Sequence, residues 1–162
     1  MTPADDPQRQ FLRHAVATLA YRGGKTLRDA PEGFGNFRLQ KDSRTPIEIL
    51  SHLGDLFDWA VALCRGQHVW RDAELGTWES QVERFFEGLR RFDEALASPE
   101  PLGFPAERLF QGPIADAFTH VGQIAMLRRL AGAPVRGENY FKADIQAGRV
   151  GPDQAAPRVE FD

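Results

Sequence analysis

Four stretches of the chain repeat apolar residues at the three- and four-residue intervals of a helix, separated by polar or glycine-rich segments. The first runs from about Pro7 to Leu27. Phe11, Leu12, Ala15, Val16, Leu19 and Ala20 supply its period, and Gly23-Gly24 should weaken or end its last turns. Residues 28–44 lose the period and, with Pro31, Gly33 and Gly35, read as a long ordered loop. The second helix opens on Thr45-Pro46-Ile47-Glu48, which places Thr at the N-cap, Pro at the first helical position and Glu at the third, a capping box. It continues to about Arg65, with Ile49, His52, Leu53, Leu56, Trp59, Ala60 and Leu63 on one stripe. A connector from Gly66 to Gly76, containing His68 and Trp70, leads to a third helix from a Thr77 cap to about Ala97. Val82, Phe85, Phe86, Leu89, Phe92 and Leu96 form its inner face, and Glu83, Glu87, Arg90, Arg91 and Glu94 its wet one. After the proline-rich SPEPLGFPAE, the fourth helix is expected from Gly112 to Gly132, with Pro113 as its first helical residue. Arg128 and Arg129 in the last turn, Gly132 and Pro134 are its stop signals.

Four such helices and no convincing strand give an all-α fold. A four-helix bundle is the economical way to bury four apolar stripes together. The long connection between helices one and two leaves room for a crossover. Residues 133–162 form a loop-rich tail in which RGENYFKADI reads as a short helix or a packed extended segment. No internal repeat and no second domain stand out, so residues 1–162 are taken as one domain, with the bundle at about 7–132.

Composition narrows the function classes. The 162 residues are 42% hydrophobic and 27% charged, ordinary values for a globular domain. A net charge of −3 with no basic run leaves no electrostatic footprint for nucleic acid or an anionic membrane. No apolar run is long enough to span a membrane, and the polar MTPADDPQRQ start is not a secretory signal. One cysteine, Cys64, excludes an internal disulfide. It sits among Ala60, Val61 and Leu63 as a small core residue, and a cytoplasmic location is expected.

Against that background three polar residues stand out. Asp116 and His120 lie four apart on or beside the apolar face of helix four, which stacks their side chains about 5–6 Å apart at Cβ. His52 lies in the apolar stripe of helix two. Two ligands at i and i+4 with a third from a facing helix is a common way for a helical core to build a metal site. Two imidazoles and a carboxylate suit Zn, Ni, Fe or Mn and leave coordination positions open for water or substrate. The bland alternative is three separately satisfied core polar groups. Asp55, one turn from His52, and Gln123, one turn beyond His120, are candidates to orient a ligand or a bound water. On the tail, Glu138, Asn139, Tyr140 and Asp144 could fold over the open end of the bundle. His14 and His68 lack a partner at ligand spacing, and Trp59, Trp70 and Trp78 are read as packing.

His120-Val121-Gly122-Gln123 and the following IAMLRRLAG resemble the His-x-Gly-Gln segment on the last bundle helix of the DinB-like (DinB/YfiT) family. His52, in ILSHLGDLFDW, matches that family's helix-two ligand; at the usual second His, four residues before the first, this chain has Asp116. The resemblance covers roughly Pro7 to Gly132. It implies a bundle, often dimeric, binding a divalent metal, whose characterised members include thiol-dependent transferases and isomerases using low-molecular-weight thiols. The partners it implies are a small-molecule substrate or thiol and a second copy of the chain. Two functions follow: a metal-dependent enzyme, transferase or hydrolase, or a non-catalytic bundle that binds a small molecule or dimerises, its site made degenerate by Asp116.

Overall fold

The capping box at Thr45 forms. In the computed structural model, which describes residues 6–161, Thr45 Oγ1 accepts from the Glu48 N–H at 3.4 Å. The Glu48 carboxylate accepts from the Thr45 N–H at 2.7 Å. The first five residues of the polar N-terminal segment and Asp162 lie outside the described residues. Helices follow where the apolar periods place them: α1 at Pro7–Leu27, α2 at Pro46–Cys64 and α3 at Trp78–Ala97. Asp6 caps α1 and Thr77 caps α3, each accepting main-chain N–H groups that have no partner inside the helix. No helix among the described residues is long and apolar enough to cross a membrane.

Two expectations need correction. Gly23-Gly24 does not end α1, because the glycines serve contact with α3. A Cβ on Gly23 would lie 2.4 Å from the Phe85 ring, and one on Gly24 would lie 3.3 Å from that of Phe86. Glycine costs about 1 kcal/mol against alanine inside a helix, and two buried or half-buried aromatic rings occupy the space it opens. Nor does Pro113 begin the last helix. That helix starts seven residues earlier, at Ala106, as a short α4 (Ala106–Leu109), passes through a π-turn at Phe110–Ile114 and continues as α5 (Ala115–Leu130). Proline has no N–H for the ordinary bond four residues back, and the π-turn absorbs the fault by letting the Ala115 N–H reach Phe110 O, five back.

The helices share one core, with Leu12, Leu19, Leu50, Leu53, Phe57, Phe85, Leu89, Phe92 and Ile114 almost completely buried. Their directions follow from which residues meet. Arg9 donates to Leu96 O and Ser98 O while Gly23 meets Phe85, so α1 and α3 run antiparallel. Arg84 binds Asp55, Gly88 meets Phe57 and Arg91 binds Asp58, so α2 and α3 run parallel. His52 meets Asp116 and Trp59 meets Gly112, so α2 and α5 are antiparallel. A parallel pair joined in sequence needs a return path along the whole helix. The crossover is therefore the segment of residues 65–77 between α2 and α3, and not the longer α1–α2 connection. Along it His68 stacks on Trp59, Trp70 meets both Trp59 and His52, and the Ala73 N–H reaches Asp55.

The tail lies along α1. A two-residue antiparallel pairing joins Gly137–Glu138 to Glu160–Phe161, the only strand pair among the described residues, and a 3₁₀ turn spans Tyr140–Lys142. Glu138 is buried and accepts from Tyr21 Oη and, at 2.8 Å, from Lys25 Nζ, which also donates to Glu160 at 2.9 Å. Burial and the Glu138 carboxylate both push the Tyr21 phenol above its ordinary pKa, so it stays a donor.

Candidate metal centre

His52 lies two turns into α2, and Asp116 and His120 lie in the first two turns of α5. The antiparallel seam between these helices brings the three together. His52 Nε2 is 3.6 Å from Asp116 Oδ2, and His120 Nε2 is 3.4 Å from Asp116 Oδ1. The two imidazole rings meet edge to face with centroids 4.7 Å apart. One donor atom from each residue falls within 4.8 Å of the others, a spread compatible with a single bound ion. The imidazoles are mostly covered, with side chains 21% and 12% exposed for His52 and His120, whereas Asp116 is 46% exposed. The site is thus a shallow niche, backed by the core and open on the carboxylate side.

The hydrogen-bond roles make this cluster unusual. Gln123 Oε1 lies 2.8 Å from His120 Nδ1. An amide oxygen only accepts, so Nδ1 carries the hydrogen and the Nε2 lone pair is turned toward Asp116. A carboxylate is also an acceptor, and two acceptors at 3.4 Å make no hydrogen bond with each other. A proton, a cation or water from the open side of Asp116 can serve the two lone pairs. Burial holds His52 toward its neutral form, His120 and Arg44 push its pKa further down, and Asp116 only partly opposes them. A divalent ion fits the chemistry of the donor set. The 3.4 and 3.6 Å separations are near the roughly 3.4 Å edge of a tetrahedron with metal–ligand bonds of about 2.1 Å.

Gln123 is therefore placed where the sequence expects an orienting residue. Asp55 and Tyr140 are not. The Asp55 carboxylate is buried at the α2–α3 seam, where it accepts from Arg84 at 2.7 Å and from the Ala73 N–H at 3.1 Å. Tyr140 packs edge to face on Tyr21, with the Arg22 guanidinium 4.2 Å from its ring centre, so it fastens the tail to α1. The tail group is divided in the same way, because Glu138 joins that fastening and Asp144 pairs with Arg149 at 3.3 Å. Cys64 is buried as expected, and burial pushes its thiol up to about 11.

Two neighbours were not singled out by sequence. Trp70 packs against His52, ring centres 5.4 Å apart, and Trp59 in turn stacks on His68 at 5.6 Å. Beside His120 a groove of about 440 Å³ runs between the end of the α1–α2 connection and α5, lined by Arg44, Gln123 and apolar side chains. Connector residues carry no periodicity, so nothing in the sequence aims Trp70 at His52. Arg44 had one signal: it immediately precedes the capping box, which fixes it at the start of α2. Comparison with family models, with curated proteins and with solved structures returns no match for this chain.

Proposed function

We propose that the chain is a DinB-like four-helix bundle and a metal-dependent enzyme. In this reading His52, Asp116 and His120 hold one divalent transition ion, Zn, Ni, Fe or Mn, and the substrate is a small molecule. The observation that carries the reading is the convergence of two imidazoles and a carboxylate, one ligand atom of each within 4.8 Å of the others, with the His120 Nε2 lone pair turned toward Asp116. A cation placed between them would be ligated by all three at once. Gln123 keeps His120 in the ligating tautomer, and Trp70 backs the His52 ring. Asp116, the most open of the three, leaves room on its side for a further ligand. A divalent ion bound there would act as a Lewis acid, lowering the pKa of a water or thiol so that a nucleophile exists near neutral pH. Thiol-dependent transfer and hydrolysis are the two reaction classes this chemistry favours. A low-molecular-weight thiol as co-substrate and a homodimeric assembly come from the family resemblance alone.

One observation favours the second reading, a non-catalytic bundle with a degenerate site. Asp116 sits within ion-pair distance of both imidazoles, so a single added proton would satisfy the cluster without metal. Elemental analysis of untagged protein separates the two, run beside His52→Ala and His120→Ala. The enzyme reading expects about one equivalent of metal in the parent and at least a hundredfold weaker binding in either variant. A parent that takes up no Zn, Ni, Fe or Mn at micromolar concentration would leave only the second reading.

A further inference from the structure

We propose that the groove beside His120 is the binding site for a small elongated carboxylate, its charge held by Arg44 and its apolar body lying between Leu39, Met126 and Leu130. The inference rests on the metal-site reading for the role of the groove's inner end, where His120 forms part of the wall.

Three observations carry it. First, the walls are apolar side chains that the fold leaves in water: Leu39 is 55% exposed, Met126 51% and Leu130 49%. Ile49 and Leu127, both buried, form the floor. Large apolar side chains converging on one exposed concavity, rather than scattered singly, mark a binding surface. Second, the groove has a single cationic wall residue, Arg44, and no carboxylate among its lining residues. Arg44 is near enough to act on the charges of both His52 and Glu48, while Arg38 takes the ion pair to Glu48 at 3.6 Å. An exposed guanidinium beside an apolar trough is complementary to a carboxylate with an apolar body, and opposed to a cation of the same shape. Third, the groove is continuous with the candidate metal centre through His120 and Gln123, the residue pair that sets the ligating tautomer. About 440 Å³ is the size of a small-molecule site and too small for a folded partner.

The test is calorimetric titration of the full chain with octanoate, and with octylamine as the probe of opposite charge, in metal-free and zinc-loaded protein. Octanoate should bind at least tenfold tighter than octylamine. Arg44→Gln should weaken octanoate about five- to tenfold, an effect reduced by salt, and leave octylamine unchanged or improved. Met126→Gln should weaken both probes. Circular dichroism confirms that the variants, altered only at exposed positions, remain folded. Equal binding of the two probes, no binding of either, or an octanoate affinity indifferent to Arg44→Gln overturns the proposal. The metal reading fails separately. A protein that refuses zinc yet binds octanoate through Arg44 keeps the groove and loses the metal centre, and one that loads zinc and ignores octanoate does the reverse.

Discussion

Helix α2 presents two polar seams, and they are built on opposite rules. Toward α3, each acidic group meets a matching donor. Arg84 donates to Asp55 and to Asp58, both at 2.7 Å, and to Ser51 O at 3.0 Å, while Arg91 takes the other oxygen of Asp58. Toward α5, one turn away, the acidic group meets two imidazole nitrogens, and the only donor hydrogen assigned by a neighbour points away, to Gln123. The first seam is closed on itself and holds two helices in register. The second is left short of positive charge. A satisfied buried network contributes to structure, whereas a half-open set of two imidazoles and a carboxylate offers its lone pairs to water or to an ion.

The contrast can be broken most severely on the structural seam. Arg84→Ala would leave Asp55 buried with only the Ala73 N–H as a donor and should cost about 2–3 kcal/mol in urea unfolding, since loss of one partner of a buried pair is expensive. Metal stoichiometry per folded molecule should stay as in the parent; if metal is lost in step with stability, the two seams are not independent. The complementary change is smaller. Gln123→Ala frees the His120 tautomer and should weaken metal binding about tenfold, with urea stability altered by less than about 0.5 kcal/mol because Gln123 is exposed. The smallest and most diagnostic effect is in pH. At the α3 seam, burial tends to raise the Asp58 pKa, but hydrogen bonds from Arg84 and Arg91 outweigh it and hold the carboxyl below the ordinary range. The folded state then binds fewer protons than the unfolded one, so this stabilisation is present above about pH 4 and is lost as pH falls through the folded value. At the α5 seam, protons compete with metal for the imidazoles, and since burial already holds His52 below the ordinary histidine range, metal should be released below that range and before the carboxylates titrate. Metal analysis and far-ultraviolet dichroism across one acid titration should show release first and unfolding later, and coincident transitions would merge the seams into one unit.

How much of this was readable from the residues depends on the range of the interaction that decided each point. The Thr45 box, the 3.6-residue stripes and the i, i+4 stacking of Asp116 and His120 are local, and each appears where the sequence puts it. The convergence of His52 on that pair needed only helical phase, which a single sequence carries. Asp55 was misread because its role depends on Arg84, 29 residues away on another helix. Tyr140 was misread for the same reason, since α1 and the tail meet across more than a hundred positions. The glycines of α1 looked like a stop signal because their partners, Phe85 and Phe86, are visible only after α3 docks. Pro113 was the clearest local signal to mislead: a proline near a helix start usually marks that start, and here a π-turn carries the helix through it.

That π-turn also bears on how the gene can change. Residues 110–114 hold one residue more than a regular helix would need between α4 and α5. Each residue advances an α-helix by about 100°. The π-turn absorbs that angle, so a codon deleted in this stretch, with the reading frame kept, would let the ladder close as ordinary helix and leave the face of α5 toward α2 unchanged. Asp116 and His120 would stay four apart and keep their face toward His52. For this protein, the helix can therefore shorten by one residue at this point and keep its three candidate ligands in place.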